Sequence, residues 1–355
     1  MLTRLVVSLM CLSGLSGCGT TYLWQAAQGQ WQLMRKRQPI EQVVADAGTD
    51  ATLKARLQLV QDARNFASEA LQLPENGSYR SYAALDRPYV VWNVVAAPEF
   101  SLQPRRWCFP FAGCIAYRGY FREENARRYA DTLRHEGFDV VVAGVAAYST
   151  LGKFADPVLD TMMRYGDLEL AGTIFHELAH QLLYVKNDSE FNEAFAMTVE
   201  QEGLARWLAA RGRSAELVLY QQRRAQQQAV TRLFDQGRSE LAQLYAATVA
   251  QPAAQRRELK QHTMGEISAA VRSYQQQQGI RGGYDAWLQS GLNNAHLASI
   301  GTYFDCVPGF QRLLAEQHGD LPAFYAAARK LGEGPESARR ALCGVDDQGS
   351  RSGAP

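Results

Sequence analysis

The sequence predicts an α+β fold: a small sheet next to a helix that carries metal-ligand residues, followed by a mainly helical C-terminal part. Three observations support this. Residues 89–95 and 139–145 are β-branched and aromatic runs typical of strands. Residues 171–184 form an apolar helical pattern with one polar stripe, and from Ser189 onward nearly every segment has helical spacing. With 355 residues, 46% of them hydrophobic, the chain can bury a sizeable core.

The N-terminus has the pattern of a targeting segment. Arg4 precedes an apolar run at residues 5–12, which is too short to span a membrane and reads as a secretory signal. Leu15-Ser16-Gly17-Cys18 resembles the bacterial lipobox, in which the cysteine is lipidated and becomes the first mature residue. We therefore predict a signal peptide at residues 1–17 and lipidation of Cys18, with an ordinary cleaved signal as the alternative.

Lipidation at Cys18 would make the membrane a partner, because acyl chains anchor a protein through the burial of their CH₂ groups. Gly19 is not the Asp that usually retains such proteins at the inner membrane. The expected location is therefore the outer membrane, with the folded part facing the periplasm. The net charge of +1, from 37 basic and 36 acidic residues, gives no reason to expect a nucleic-acid partner.

The elements divide the mature chain into four segments. Residues 18–85 are predicted as an N-terminal helical segment, 86–212 as the core with strands and metal-binding helices, 213–344 as a helical part completing the cleft, and 345–355 as a disordered tail. The predicted elements are helices at 22–34 and 51–71, a strand at 89–95, a helix at 122–136, a strand at 139–145, and long helices at 214–246 and 253–277.

Four cysteines remain after the signal peptide, and an even count in an oxidising compartment favours two disulfides. The predicted pairs are Cys108–Cys114, which closes a small loop, and Cys306–Cys343, which ties down the C-terminal end. A second metal site is the alternative, although the chain has no Cys-x-x-Cys and few spare histidines.

The pattern that bears most on function is His176-Glu177-Leu178-Ala179-His180. On a helix, residues i and i+4 lie on the same face, so the two imidazoles can share one metal ion. Glu177 projects close enough to act on a water at that ion. The H-E-x-x-H arrangement is typical of zinc peptidases, and one Zn²⁺ per chain is the expected cofactor. A non-ligand histidine pair is the alternative.

A catalytic zinc site needs a third protein ligand. In H-E-x-x-H-x-x-G-x-x-H the glycine and the third histidine would fall at Leu183 and Lys186, which excludes that subclass. A second helix follows a turn at residues 187–189. The carboxylates available on it are Glu190, Glu193, Glu200 and Glu202.

We favour Glu193 as the third ligand because it lies one turn into this second helix. Asn192-Glu193-Ala194 also resembles the motif that carries the third ligand in thermolysin-like enzymes. Glu200, seven residues on and on roughly the same face, could instead hydrogen-bond a ligating histidine from behind. A solvated helix face remains the alternative.

Several blocks together resemble a family of zinc aminopeptidases found as lipoproteins in Gram-negative bacteria. The matching blocks are residues 107–114, 117–121, 176–202 and 293–308. The resemblance implies His176, His180 and Glu193 as ligands and Glu177 as the base. The chain lacks the Gly-Ala-Met-Glu-Asn signature of the best-known zinc aminopeptidases, so no group for a substrate's free amine is identified.

In zinc peptidases of this type, a sheet edge before the zinc helix often binds the substrate as an added strand. The run Gly144-Val145-Ala146-Ala147-Tyr148 has that position and mostly small side chains. An ordinary buried strand ending in a turn is an equally good interpretation.

The predicted reaction is hydrolysis of a peptide substrate, with Glu177 as general base. For the donor to the oxyanion we select Tyr303 from the family-like block, with Tyr148, Tyr120, Arg118 and His296 as rivals. Two other functions remain open: an endopeptidase acting on misfolded envelope proteins, and a lipoprotein that binds peptides without cleaving them. The intact Glu177 argues against the second.

Overall fold

The computed structural model describes residues 18–109, 113–280, 282–300 and 306–344. It confirms the α+β class, with short strands confined to the first half and helices dominating the second. None of the helices in these ranges combines the length and apolarity needed to cross a membrane.

The N-terminal region is helical and contributes two short strands. Its elements are α1 (Cys18–Arg35), β1 (Gln38–Pro39), α2 (Ile40–Ala45), α3 (Ala51–Glu69) and β2 (Ser81–Ala83). The Asp50 carboxylate caps α3 by accepting hydrogen bonds from the Thr52 and Leu53 amides. Strands β1 and β2 pair antiparallel, and β2 pairs in parallel with a later strand, β8 (Val158–Leu159).

The next region contains β3 (Val91–Pro98), the hairpin β4 (Trp107–Phe109) and β5 (Gly113–Ile115), β6 (Arg118–Tyr120), α4 (Glu123–His135) and β7 (Phe138–Val145). Three of these strands form the central antiparallel sheet, in the order β6-β3-β7. Alternation along β3 sends Trp92 and Val94 to one face, where they pack with α4. Val91 and Asn93 point to the opposite face, toward the site described below.

Two helices packed side by side follow the sheet: α5 (Asp167–Leu182) and α6 (Ser189–Ala209). They approach closely at Gly203, where a Cβ atom would lie 2.9 Å from the Phe175 ring. Apolar side chains of both helices join α3 in the largest core of the protein. This close packing fixes the position of α6 against α5, and with it the position of any side chain they share.

The C-terminal part consists of α7 (Ser214–Ala247), α8 (Ala253–Gln278), α9 (Asp285–Ser290), α10 (Asn294–Ile300), α11 (Val307–Glu316), α12 (Leu321–Glu333) and α13 (Glu336–Leu342). Side chains of α7, α8, α9 and α10 form a second apolar core. The disulfide Cys306–Cys343 joins the start of α11 to the end of α13, and Cys108–Cys114 joins β4 to β5. Both are the predicted pairs.

A buried polar cluster, which we name the sheet anchor, ties the C-terminal helices to β7. Its members are Asp139, Lys260, Asn294 and Tyr245. Lys260 Nζ donates to Asp139 Oδ2 at 2.6 Å, and the Asn294 amide donates to the same oxygen at 2.8 Å. The Asn294 side chain donates to the Pro98 and Glu99 carbonyls and accepts from the Tyr245 hydroxyl. The anchor therefore holds the second core against the sheet.

Candidate metal centre

Two histidines lie one turn apart on the polar stripe of α5. Leu170, Ile174 and Leu178 are fully buried at helical spacing, which fixes the rotation of the helix. His176 and His180 therefore point into the same space, with ring centroids 4.7 Å apart. Their Nε2 atoms lie 3.1 Å from each other.

The turn between α5 and α6 places Glu193 opposite these rings. The Asn192 side chain accepts from the Val185 amide and donates to the Val185 carbonyl, both at 2.7 Å, so it clamps the turn. Glu193 follows in the first turn of α6. Its Oε2 lies 3.3 Å from His176 Nε2 and its Oε1 lies 3.6 Å from His180 Nε2.

The donor set fits a tetrahedral metal ion. Zinc bonds to nitrogen and oxygen of about 2.0–2.1 Å put neighbouring donors of a tetrahedron about 3.3–3.4 Å apart. The three observed separations, 3.1, 3.3 and 3.6 Å, lie around that value. Two imidazole nitrogens that face each other at 3.1 Å also need a cation or a shared proton between them. His176, His180 and Glu193 can therefore hold a metal ion.

Glu200 supports the site from behind. Its Oε2 lies 3.1 Å from His176 Nδ1, and its Oε1 accepts a 2.8 Å hydrogen bond from the Tyr220 hydroxyl on α7. Burial alone raises the pKa of Glu200, but the hydrogen bond and charge of His176 outweigh it and lower that pKa. The position predicted for Glu200 is thus the one it occupies, and the carboxylate fixes the orientation of the His176 ring.

The same charges act on the ligands themselves. Burial lowers the pKa of His176, but the hydrogen bonds that its ring donates to the Glu193 and Glu200 carboxylates prevail and hold that pKa well above its ordinary value. For Glu193, burial raises the pKa, while His176 and His180 outweigh burial and lower it strongly. The charged form of the His176 imidazole and the two carboxylates therefore stabilise one another.

His180 has a different surrounding on its outer nitrogen. Among the described residues, its Nδ1 is buried and has no hydrogen-bond partner. Its ring is held by packing instead, with the Tyr184 ring 6.4 Å away in an edge-on arrangement. The two histidines are thus oriented in different ways, one by a carboxylate and one by its neighbours.

A cavity of about 460 Å³ opens on His176, His180 and Glu193, which we call the metal group. The cavity also contains the predicted base. Glu177 lines it together with His176, His180 and Glu193. Tyr117, Tyr148 and Tyr184 line it as well. We call this cavity the base-side cavity.

A second, smaller cavity of about 290 Å³ also borders the metal group. It shares His176 and Glu193 with the first cavity, but Glu177 is not part of its lining. The remaining lining residues are Met197, Glu200, Arg224, Tyr284, Trp287, Ser299 and Ile300. The metal group therefore borders two spaces of different size and composition.

The predicted substrate strand lies partly along the base-side cavity. Strand β7 is at a sheet edge and ends at Val145, and Val145, Ala147 and Tyr148 line the cavity. Two members of the run do not line it. The Tyr89 ring covers the Gly144 Cα, and Ala146 is buried with its carbonyl bonded to the Thr161 hydroxyl.

Helix α1 forms another wall of the base-side cavity, which the sequence did not indicate. Tyr22 and Ala26 line the cavity. Gln25 Nε2 donates to the Gly119 carbonyl at 3.4 Å, and its Oε1 accepts from the Phe121 amide at 3.3 Å. Gln25 thus occupies main-chain hydrogen-bonding positions on the outer edge of β6.

The predicted oxyanion donors are distributed unequally. Tyr303 lies outside the described residues, and Tyr148 lines the base-side cavity. Tyr120 packs with α4, Arg118 stacks on Tyr22 with its guanidinium 4.1 Å from the ring centroid, and His296 is buried beside Trp287. These last three do not line the cavity.

Tyr117 was not among the predicted donors, although it lies within a block that carries the family resemblance. It is 38% exposed and lines the base-side cavity. Loss of water contact around its hydroxyl, together with the charge of Glu193, raises the pKa of Tyr117. Burial and the charge of Asp156 raise the pKa of Tyr148 to about 12. Both hydroxyls therefore keep their protons at neutral pH and can donate them in hydrogen bonds.

A family model described as "Putative aminopeptidase" matches residues 21–343. A search of curated proteins and a search of solved structures each found no match.

Proposed function

The chain belongs to this aminopeptidase family, and from that premise we propose that it is a zinc-dependent metallopeptidase that releases N-terminal residues from peptides. The observation that carries the proposal is the tetrahedral spacing of the His176, His180 and Glu193 donor atoms beside Glu177. Bound zinc would polarise the scissile carbonyl and lower the pKa of an attacking water.

The residues of the chain supply the proton transfers and the alignment. Glu177 takes a proton from the attacking water and delivers it to the leaving amine. Tyr117 and Tyr148, which line the base-side cavity, are our candidates to donate a hydrogen bond to the developing oxyanion, and Tyr303 is a further candidate for the same role. Glu200 holds the His176 ring in the orientation in which the ring would bind zinc.

The test is turnover of an amino-acyl reporter panel by zinc-loaded protein, with Glu177→Gln beside the wild type. We expect the variant to retain one zinc and to lose roughly 10²–10⁴-fold in turnover. Glu169→Gln is the matched control, because Glu169 lies on the same helix with an exposed partner, Arg223, and lines neither cavity. Equal turnover in wild type and Glu177→Gln would overturn the mechanism.

Substrate length separates the runner-up functions. Cleavage of internally quenched long peptides without release of N-terminal residues would indicate an endopeptidase of the envelope. Stoichiometric zinc with no cleavage of either kind would indicate a peptide-binding protein.

We further propose that Cys18 is lipidated and that the protein is anchored to the outer membrane, facing the periplasm. The support is the lipobox-like sequence and the two disulfides, which suit an oxidising compartment. Mass spectrometry of the N-terminal peptide tests this, with Cys18→Ser as control. An unmodified Cys18 in membrane fractions would refute it.

A further inference from the structure

The smaller cavity is built like a pocket for one apolar side chain. Its volume of about 290 Å³ is at the lower limit of ligand pockets, which span roughly 300–1,000 Å³, so it suits a single side chain better than a length of peptide. Met197 and Ile300 are almost fully buried, and Tyr284 and Trp287 are half-buried with their ring centroids 5.4 Å apart.

The lining favours aromatic and long aliphatic groups. Aromatic rings add an attraction for other rings beyond the area they bury, and a methionine side chain adapts to irregular shapes. The polar members of the lining are already engaged. Glu200 is bonded to His176 and Tyr220, and the charge of Arg224 acts on Glu200, so these two side chains compensate each other.

The position of the base decides which side of the scissile bond this cavity serves. Glu177 delivers a proton to the leaving amine, so the leaving side of the substrate must lie in the base-side cavity. The smaller cavity borders His176 and Glu193 but excludes Glu177 from its lining. It therefore lies next to the residue that contributes the scissile carbonyl.

We propose that the cavity lined by Met197, Tyr284, Trp287, Ser299 and Ile300 is the subsite for the side chain of the residue whose carbonyl is attacked, and that it selects large apolar side chains. For an aminopeptidase this residue is the N-terminal one. The inference rests on the proposed function, because it assumes a peptide carbonyl at the metal group.

Hydrogen bonds that hold α9 in place maintain the shape of this subsite. Asp285 accepts from the Gln275 side chain and from the Gly282 amide, and Arg272 donates to the Leu288 carbonyl. Trp287 therefore stands on a short helix that is tied to α8, and Tyr284 is the N-cap residue of that helix. Filling the cavity from α10, through Ser299, leaves these contacts untouched.

The test compares amino-acyl reporters of Phe, Leu, Ala and Asp, each with a free and an acetylated amine. In the zinc-loaded wild type we expect kcat/KM for Phe and Leu to exceed that for Ala and Asp roughly tenfold or more. Ser299→Trp should lower kcat/KM for Phe far more than for Ala and bring their ratio toward one. Ser239→Trp, the same change at an exposed position of α7, should leave the profile unchanged.

Trp287→Ala is the second variant, in case Ser299→Trp does not fold. Loss of the indole removes aromatic packing from the subsite, so the Phe-to-Ala ratio should fall here too. Zinc content and thermal melting identify folded variants. A flat wild-type profile, or a ratio that neither folded variant changes, would overturn the subsite while leaving the peptidase proposal standing.

Binding gives a readout independent of turnover. Phenylalanine hydroxamate and alanine hydroxamate both chelate zinc and place their side chains on the carbonyl side. Calorimetry on zinc-loaded protein should show tighter binding of the phenylalanine compound, with the difference reduced in Ser299→Trp. If no substrate is cleaved but this difference persists, the peptidase proposal fails and the cavity remains only a binding site for apolar side chains; equal or absent binding refutes the subsite.

Discussion

The metal group and the sheet anchor are both buried sets of charged and polar side chains, but they differ in how well they are satisfied. In the sheet anchor, Lys260 has a carboxylate and a carbonyl, and Asn294 uses both its donors and its acceptor. In the metal group, two imidazole nitrogens face each other at 3.1 Å and His180 Nδ1 has no partner among the described residues.

This difference indicates that the sheet anchor stabilises the fold and that the metal group is suited to binding a ligand. A buried polar group without a partner costs roughly 1–3 kcal/mol, so such groups persist where something binds them. In a cluster whose members all have partners, the hydrogen bonds within the chain offset the cost of burying the polar groups. We therefore expect changes in the sheet anchor to alter stability, and changes in the metal group to alter metal binding.

The largest effect should come from breaking the anchor. Lys260→Met leaves Asp139 buried without its cation, and we expect unfolding free energy to fall by about 3 kcal/mol, with zinc stoichiometry unchanged. Urea unfolding and metal analysis measure the two quantities. Arg257→Met on the same helix, which breaks the more exposed pair with Glu99, should cost at most about 1 kcal/mol. Loss of zinc in Lys260→Met would contradict the view that the sheet anchor affects stability and the metal group affects metal binding.

A smaller effect should follow from loosening the metal group. Glu200→Gln weakens the hold on the His176 ring, and we expect zinc affinity to fall roughly 10–100-fold. Competition with a chelator measures it. Glu202→Gln, on the same helix but paired with Arg206, is the control and should bind zinc like the wild type. Unchanged affinity in Glu200→Gln would show that packing alone orients the ring.

The smallest effect should come from His296, which lies two residues beyond Asn294. Burial lowers the pKa of His296 to about 4, so the folded protein resists protonating it. Its stabilising contribution is present above pH 6.5 and is lost as the pH falls toward 4. Between pH 7 and pH 6 this amounts to about 0.7 kcal/mol. Urea unfolding at both pH values should show that the free energy of unfolding falls more in the wild type than in His296→Gln, by that amount. An equal fall in both proteins would show that another group titrates.

Local patterns were sufficient to predict the long helices, but not the short ones. The predicted helix at 214–246 is observed at Ser214–Ala247, and the strand at 139–145 at Phe138–Val145. The choice of His176, Glu177 and His180 used helix periodicity and the H-E-x-x-H pattern, and the choice of Glu193 used the turn before α6 together with the resemblance of Asn192-Glu193-Ala194. Strand β3 was placed too early, because Tyr89 is aromatic like a strand residue but precedes the paired segment Val91–Pro98.

Contacts between distant segments could not be predicted in this way. Tyr220, which bonds Glu200, is 20 residues away on another helix. The wall that α1 contributes and the cavity lined by Trp287 depend on how separate helices pack, and the periodicity of a single helix does not record this packing. The short strands β1, β2 and β8 were missed because two or three residues carry no alternation.

Gln25 has a consequence for how the protein can be shortened. Strand β6 is at the outside of the central sheet, and Gln25 bonds the Gly119 carbonyl in this strand and the Phe121 amide just after it. A soluble form that starts beyond Gln25 would leave this edge bare. Bare strand edges recruit strands from other molecules, so such a form should self-associate and precipitate.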